Sequence, residues 1–519
     1  MCSRKGLVVV PEPRVWRAAR PHVARIARAA KPRVVRVTRA VATRSMKLTT
    51  LQLTAGAAAF GLALSAGAVA VAGPWDSSGQ RTAEREWAAS RHREGGADHE
   101  GGSGTAQGAP KPAPSALSVL RGLAGSVPAP TGQALAGVLD PLLSAPSLGS
   151  GRTAAVVDVA TGKSLYDLGA DDALTPASTT KIATAAAVLS ALGPDHRIET
   201  RTVLDPGSKE VVLVGGGDPT LTSREDAKGY ASLRTLADRT AAALKKRGLD
   251  EVTLTYDASL YTGPALHPIG PNTNLAPVSA LMADEARLDD SSSGPADRAT
   301  DPAADAARTF ADLLADRGVR TKAPASAKSP KKADRLATVS SPPLSTLVER
   351  MLTNSDNDIA EALARHTALA AGEPASFEGA GTAIHGELGE LGLPLTGARF
   401  ADGSGLNRDD RLTAALLTAL LAKAASPAHP ELRPIVTGLP VAGFTGTLRH
   451  RYADHLSGTG VVRAKTGTLT GVNTLAGTVV DTDGRLLAFA FLATDTTDPT
   501  SAQKALDGTA SALAACGCR

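Results

Sequence analysis

Cysteine is scarce in this 519-residue chain and occurs only as Cys2, Cys516 and Cys518. So few thiols exclude a disulfide-stapled scaffold, and two thiols at one end of the chain are too few to bind a metal by themselves. Cys516 and Cys518 form either a small terminal disulfide or no disulfide. Aromatic residues make up 3% of the chain against 43% hydrophobic residues, so we expect cores of alanine, valine and leucine.

Other missing signatures exclude particular classes of function. The ten histidines include no H-E-x-x-H pattern, which argues against a zinc peptidase. No G-K-[ST] follows the glycines at 215–217, so we interpret them as a structural turn and not as a phosphate loop. No Arg-Arg pair supports twin-arginine export. We therefore expect neither a metal nor a cofactor.

Charge is distributed unevenly along the chain. Residues 1–47 contain thirteen Lys/Arg and one acid, so this basic tail carries a net charge of +12. Because the whole chain carries +5, the remainder carries −7. A mildly acidic body argues against a nucleic-acid partner. We predict that the tail is cytoplasmic.

A long uncharged segment follows the tail. Residues 48–74 contain no charge and, at about 1.5 Å per residue, could cross one bilayer. We predict residues 48–73 as a transmembrane anchor or a signal peptide. Both alternatives stay open, because Ala70-Val71-Ala72 matches a cleavage site and translation could begin at Met46. Residues 74–114 are predicted to be a disordered linker to an extracytoplasmic body, which is either membrane-anchored or secreted.

A candidate nucleophile lies in residues 175–189, which read TPASTTKIATAAAVL. Ser178 and Lys181 lie one helical turn apart at the start of an alanine-rich helix. Burial lowers the pKa of a lysine, so a neutral amine could take the serine proton. The other two S-x-x-K matches are weaker, because Ser329 lies in a lysine-rich loop and Ser501 is predicted to be the N-cap of the last helix.

Two further motifs supply possible partners for this pair. The S-x-N sequence at Ser355 and Asn357 is unique in the chain, as is the K-T-G sequence that begins at Lys465. A serine hydroxyl can relay a proton, and an amide can bind a substrate carbonyl. We expect Asp356 to point elsewhere. The K-T-G sequence is predicted to end a strand, with Gly467 allowing a substrate strand to lie close.

Hydrophobic periodicity and turn residues predict the elements around these motifs. Strands are expected at 153–169 as a hairpin, 198–204, 211–214, 251–256, 461–464, 472–481 and 486–492. Helices are expected near 117, from 179, and at 233–247, 305–318, 343–370, 411–424 and 500–515.

The three motifs in this order resemble those of the penicillin-recognising serine enzymes. The segments 215–221, 276–281, 402–406 and 446–448 narrow the resemblance to class C low-molecular-mass penicillin-binding proteins, the penicillin-binding protein 4 type of peptidase family S13. The resemblance implies an α/β (α+β) fold, a serine β-lactamase/transpeptidase-like domain with an antiparallel sheet flanked by helices. It also implies a large inserted domain at 205–336 between catalytic parts at 115–204 and 337–519.

By the same resemblance the chain is an extracytoplasmic D-Ala-D-Ala carboxypeptidase, with or without endopeptidase action. Ser178 would attack the substrate, Lys181 would be the base, and Ser355 and Lys465 would pass the proton to the leaving D-Ala. The substrate-binding residues would be Asn357, Thr466, Gly467 and Thr468. The backbone N–H groups of Ser178 and Thr468 would form the oxyanion hole.

The implied partners are peptidoglycan stem peptides, β-lactams and, through residues 48–73 if they are uncleaved, a membrane. Three alternatives remain. A β-lactamase is disfavoured because no E-x-x-L-N pattern follows Ser355. A non-turnover β-lactam or peptidoglycan sensor would look the same in sequence. A membrane adaptor is suggested by the basic tail alone.

Overall fold

A computed structural model describes residues 128–454 and 457–517, all of which lie within the unit Ser115–Arg519. The basic tail, the predicted anchor, the linker and the helix expected near residue 117 lie outside the described residues. Among the helices that are described, none combines the length and apolar character needed to cross a bilayer.

The described strands and helices are as follows. The strands are β1 (Gly151–Asp158), β2 (Ser164–Leu168), β3 (Glu199–Asp205), β4 (Glu210–Val214), β5 (Glu251–Asp257), β6 (Arg320–Thr321), β7 (Ala325–Ser326), β8 (Asp334–Ser340), β9 (Arg463–Leu469), β10 (Val472–Val480) and β11 (Leu486–Thr494). The helices are α1 (Gly132–Leu143), α2 (Thr180–Leu192), α3 (Leu233–Lys245), α4 (Pro302–Ala315), α5 (Leu344–Asn354), α6 (Asn357–Ala371), α7 (Phe377–Glu390), α8 (Ala414–Ala425), α9 (Arg433–Gly438) and α10 (Pro499–Ala514).

The first sheet has the strand order β2-β1-β11-β10-β9 and is antiparallel throughout. Strand β11 is almost wholly buried because helices cover both of its faces. Its alternate residues Ala488 and Ala490 belong to the core beneath α2 and α8. Phe489 and Phe491 belong to the core that contains α1 and α10. Two-sided burial explains why this strand is a continuous apolar run in the sequence.

The core around α2 is built of small and aliphatic side chains, as the composition predicts. Ala183, Ala185, Ala186 and Ala187 of this helix are fully buried. Phe400 is the one aromatic residue in this cluster of described core residues. Alanine lets neighbouring helices approach closely, and α2 therefore lies buried among α5, α6, α7 and α8.

A second, mixed sheet lies between α2 and α5 in the chain and has the order β6-β5-β4-β3-β8. Strand β5 pairs in parallel with β4, β6 and β7, whereas β3 pairs antiparallel with β4 and β8. Helices α3 and α4 contribute to its core. The segment between β5 and α4 reaches the catalytic motifs, since the N–H of Ala276 donates to Asp358 Oδ1 at 2.9 Å.

The expected single helix at 343–370 is wrong, because two helices occupy this region. Helix α5 ends at Asn354, and its C-cap, Ser355, has a left-handed backbone with φ of 58°. Asp356 then caps α6, and its side chain accepts the N–H of Ile359 at 3.0 Å. Helical periodicity continues across the break, so the apolar pattern does not reveal it. Because the helix is interrupted here, the S-x-N sequence begins in the turn between α5 and α6.

Three smaller expectations also differ from the structure. The strand expected at 461–464 runs on as β9 to Leu469, so the K-T-G sequence lies inside a strand. The N-cap of the last helix is Asp498, which accepts the N–H of Ser501 at 2.9 Å, and not Ser501 itself. Helices α1, α7 and α9 and strands β6, β7 and β8 were not predicted.

Candidate active site

Ser178 lies in a short 3-10 turn, Ala177–Thr179, that leads directly into α2. Ala177 has a φ of 49°, a left-handed conformation that is unfavourable for residues with a Cβ. Gly405 lies against this turn, and a Cβ there would overlap the carbonyl oxygen of Ala177. The hydroxyl of Thr474 in β10 donates to the carbonyl of Pro176 at 2.8 Å. The sheet and the loop around Gly405 thus hold the serine turn in place.

Lys181 lies one turn after Ser178 and is fully buried. Its Nζ is 3.0 Å from Ser178 Oγ. It donates to Asn357 Oδ1 at 2.6 Å and to the carbonyl of Ser404 at 2.6 Å. A neutral amine has two N–H bonds and one lone pair. Those two bonds match the two pure acceptors, which leaves the lone pair for the proton of the Ser178 hydroxyl.

The pKa of Lys181 is lowered to about 8 by desolvation. The carboxylates of Asp402, Glu361, Asp356 and Asp410 oppose part of this effect. Burial disfavours the ammonium form, and the surrounding acids keep the pKa from falling further. The amine is therefore available as a base near neutral pH.

The carbonyl of Ser404 reaches Lys181 because buried carboxylates hold the loop 402–407. Asp402 accepts the N–H groups of Gly405 at 2.6 Å and Asn407 at 2.7 Å. Glu361 accepts the N–H of Ser404 at 3.0 Å. This tight turn near the cleft, expected from the Gly-Ser-Gly sequence, supplies one of the three partners of the lysine.

The S-x-N turn brings Ser355 and Asn357 to the same place. Asn357 receives the bond from Lys181 and donates from Nδ2 to the carbonyl of Asn274 at 2.9 Å. These two bonds fix the orientation of its amide. Asp356 was expected to point elsewhere; its side chain caps α6, but the residue also lines the cavity. The segment before α4 thus contributes directly to the position of the amide.

Lys465 is fully buried and donates to Ser355 Oγ at 2.9 Å and to the carbonyl of Thr466 at 2.7 Å. Its pKa is lowered well below the usual lysine value by desolvation first and then by the positive charges of Lys181 and Arg451. Lys465 is thus hydrogen-bonded to the serine of the S-x-N sequence, as Lys181 is to Ser178.

Thr466 and Thr468 lie two residues apart on β9 and both line the cleft. The hydroxyl of Thr466 donates to that of Thr447 at 2.9 Å. Gly467 faces the other way. A Cβ there would overlap Thr474 Oγ1 and lie 2.8 Å from the carbonyl of Pro176. This glycine therefore makes room for the serine turn. Its role in letting a substrate strand lie close stays a prediction.

These side chains border one cavity of about 410 Å³. Of the predicted site residues, Ser178, Ser355, Asn357, Thr466 and Thr468 line it, while Lys181 and Lys465 lie buried behind them.

The cavity also has lining residues that the sequence did not predict, among them Asn274, Arg287, Arg298, Thr447 and Arg451. Thr447 belongs to a segment already noted for its resemblance to the family. The first three come from the segment between β5 and α4, where no sequence signal marked them.

Two clusters among the described residues have the composition of metal sites: His267 with Glu361 and Asp402, and Glu285 with Asp356 and Asp358. In the first, Asp402 already accepts several N–H groups, including that of His267 Nε2 at 2.9 Å. In the second, Arg350 pairs with Glu285, and Arg298 pairs with Asp358 at 2.9 Å. Internal donors and ion pairs account for both clusters. The absence of a metal remains a prediction.

Comparisons with known proteins identify relatives of this chain. A carboxypeptidase DacB of Mycolicibacterium smegmatis is 38% identical over 410 residues, covering 76% of this chain and 86% of the relative. A carboxypeptidase of Mycobacterium tuberculosis is 36% identical over 430 residues, covering 79% of this chain and 90% of the relative. The crystal structure of penicillin-binding protein 4 from Haemophilus influenzae matches with a TM-score of 0.60 at 22% identity, covering 73% of this chain and 97% of its own.

The structural match confirms the predicted fold, with an antiparallel sheet flanked by helices. The family model described as the D-Ala-D-Ala carboxypeptidase 3 (S13) family matches residues 135–292 and 291–513. These two stretches contain all three motifs. The chain therefore belongs to the D-Ala-D-Ala carboxypeptidase 3 (S13) family.

Proposed function

We propose that this chain is a serine-type D-Ala-D-Ala carboxypeptidase that works through an acyl-enzyme on Ser178. The observation that carries the proposal is the buried contact between Lys181 Nζ and Ser178 Oγ at 3.0 Å, with a lysine pKa of about 8. A nucleophile and a base within hydrogen-bonding reach, with the base oriented by further groups, are what covalent catalysis requires. Here Asn357 and Ser404 orient the base.

Acylation begins when the lone pair of Lys181 takes the hydroxyl proton of Ser178. The Oγ atom then attacks the carbonyl carbon of the penultimate D-Ala. The backbone N–H groups of Ser178 and Thr468 stabilise the negative charge that develops on the carbonyl oxygen. A mutation that removes one such donor in other enzymes costs about 100- to 1,000-fold in rate.

The leaving D-Ala needs a proton on its nitrogen as the peptide bond breaks. Ser355 and Lys465 carry this proton, since Lys465 Nζ donates to Ser355 Oγ at 2.9 Å. Water then hydrolyses the ester on Ser178 and releases the shortened peptide. Asn357 holds the donor peptide, and Thr466 holds the terminal carboxylate.

The substrate class follows from the family, whose members act on peptidoglycan outside the cytoplasm. The Haemophilus influenzae protein has also been solved in complex with a β-lactam. We propose that this chain trims peptidoglycan stem peptides and is acylated by β-lactams. We also propose that residues 48–73 either anchor it in the membrane or direct its secretion. The position of residues 1–114 before the catalytic region suits either role.

The test uses the purified full chain, a fluorescent penicillin and a pentapeptide that ends in D-Ala-D-Ala. We expect a stable label, release of free D-Ala, and loss of both in Ser178→Ala. The matched control is Ser501→Ala, which alters the serine of another S-x-x-K match while leaving the site intact.

The other outcomes separate the alternatives. Rapid loss of the label with hydrolysis of the drug would identify a β-lactamase. A stable label without D-Ala release would identify a sensor. A label that survives in Ser178→Ala would show that the nucleophile is elsewhere.

A further inference from the structure

His267 is a buried histidine outside the catalytic cavity. It lies in the segment between β5 and α4, and its side chain is 1% exposed. Its Nε2 is 2.9 Å from Asp402 Oδ2, and its Nδ1 receives the N–H of Ile269 at 3.2 Å. Because Nδ1 accepts a hydrogen bond, the proton of the neutral ring lies on Nε2. His267 therefore donates a hydrogen bond to Asp402.

Asp402 links this histidine to the loop that contacts the base. Its carboxylate also accepts the N–H groups of Gly405 at 2.6 Å and Asn407 at 2.7 Å. The carbonyl of Ser404, in the same loop, accepts from Lys181 Nζ at 2.6 Å. Desolvation lowers the pKa of Lys181, and of the carboxylates that oppose this effect Asp402 has the largest influence. Asp402 thus acts on the base through both geometry and charge.

The ring of His267 is also fixed by packing against α6 and α7. It meets the ring of Phe377 edge to face, with ring centroids 5.2 Å apart and ring planes at 78° or more from parallel, namely 84°. The guanidinium of Arg365 lies over the same phenyl ring at 4.1 Å and donates from Nη1 to Glu361 Oε2 at 3.1 Å. Glu361 in turn accepts the N–H of Ser404 at 3.0 Å. The histidine and the loop thus belong to one buried cluster, which keeps the Nε2–H bond directed at the carboxylate.

Charged groups from several elements face Lys181. Besides Asp402 they are Asp410 further along the same connection, Glu361 on α6, Asp356 at the start of α6 and Lys465 on β9. Arg365 offsets the charge of Glu361, with which it pairs at 3.1 Å. The Nε2–H group of His267 likewise offsets part of the charge of Asp402.

Loss of this Nε2–H donor should raise the pKa of Lys181. Less positive charge would then offset Asp402, and a less firmly held loop would leave the amine less desolvated. Both changes favour the ammonium form. Desolvation raises the pKa of the Asp402 carboxyl, but the hydrogen bond from His267 and the N–H groups of Gly405 and Asn407 hold it below its usual value. Since the two N–H groups remain, we expect the carboxylate to stay ionised without the histidine.

We propose that His267 is a positioning residue that acts on the base Lys181 through the carboxylate of Asp402 and the loop 402–407. This inference rests on the proposed function and extends it, because it gives the inserted region a part in preparing the base. His267 touches neither Ser178 nor the cavity, so its contribution is to the charge state of the base and not to substrate binding.

The test measures the rate of covalent labelling of the full chain by a fluorescent penicillin at pH 7 and at pH 10. The variant His267→Phe keeps an aromatic ring against Phe377 and removes the donor to Asp402. Because the neutral fraction of Lys181 is small at pH 7 and nearly complete at pH 10, a raised lysine pKa slows labelling only at the lower pH. We expect the rate to fall about 3- to 10-fold at pH 7 and to stay within about twofold of the wild type at pH 10.

The control variant is His366→Phe, which alters another buried histidine, one whose ring contacts Tyr261. It should leave the ratio of the two rates at the wild-type value. An equal loss at pH 7 and pH 10 in His267→Phe would mean a purely structural role and would overturn the proposal. A wild-type rate at pH 7 would overturn it as well.

A second pair of variants keeps the test decisive if His267→Phe does not fold. The amide nitrogen of His267→Gln can take the place of the imidazole Nε2 and donate to Asp402, whereas the side chain of His267→Asn is too short to reach it. The glutamine variant should recover most of the rate at pH 7, and the asparagine variant should not. The same pH profile in both variants would refute the proposal. Absence of a label on Ser178 in the wild-type chain would instead refute the proposed function.

Discussion

The charge state of Lys181 should set the rate at which Ser178 is acylated. Because its pKa is about 8, roughly one amine in ten is neutral at pH 7 and roughly nine in ten are neutral at pH 9. The acylation rate should therefore rise about tenfold between pH 7 and pH 9 and level off above that. If the lysine had the ordinary pKa of 10.5, the acylation rate would keep rising through pH 10.

Lys181→Arg is the perturbation that isolates this effect. A guanidinium stays protonated throughout this range, so it cannot take the serine proton. Loss of a general base typically costs about 100- to 10,000-fold in rate. We expect a loss of this size in Lys181→Arg and a pH profile that is flat between pH 7 and pH 9.

The assay is the rate of covalent labelling of the full chain by a fluorescent penicillin between pH 6 and pH 10. Ser178→Ala sets the background, and near-wild-type thermal unfolding of Lys181→Arg shows that the variant folds. A labelling rate that still rises about tenfold per pH unit as the pH approaches 10 in the wild type would show that burial does not depress the pKa. Labelling of Lys181→Arg at the wild-type rate would show that Lys181 is not the base.

Two further predictions concern stability. The folded pKa of Lys181 lies below the unfolded value, so its burial destabilises the fold below about pH 8, and this penalty disappears as the pH rises to about 10.5. We therefore expect the free energy of unfolding of the wild type to increase relative to that of Lys181→Met by up to about 3 kcal/mol over that range, as measured by denaturant unfolding. A difference between the two proteins that does not change with pH would contradict the burial argument. Gly405→Ala places a Cβ on the carbonyl oxygen of Ala177 at a φ of 81° and should lower the free energy of unfolding by about 2 kcal/mol or more while slowing acylation. Gly137→Ala, in a helix with open space around it, should raise the free energy of unfolding by about 0.5–1 kcal/mol, and an equal loss in both variants would contradict the steric argument.

The sheet and most helices could be predicted because their signals are local. Alternation and tight turns located β1, β2, β10 and β11, and periodicity located α3, α8 and α10 to within a few residues. The break at Ser355 was not predictable from periodicity, because the apolar pattern of α5 continues into α6 with nearly the same phase. One left-handed residue and one capping aspartate decide it.

The site shows the same division between local and distant information. Its motifs can be recognised in the sequence because the nucleophile, the base and the proton relay need particular residue types at fixed short spacings. The backbone groups that bind these side chains need no particular residue type. Any residue can offer the backbone carbonyl that Ser404 gives to Lys181 or that Asn274 gives to Asn357, so no side chain marks these positions.

The sequence alone therefore determined the fold family, the order of the three motifs and the type of chemistry, since each is written in residue identity and spacing. The tertiary structure decided how Lys181 meets Asn357, 176 residues away, and how far burial lowers its pKa. It also decided that Arg451 borders the cavity. The physical reason is that desolvation and charge depend on what the folded chain places around a group, and those neighbours come from distant parts of the sequence.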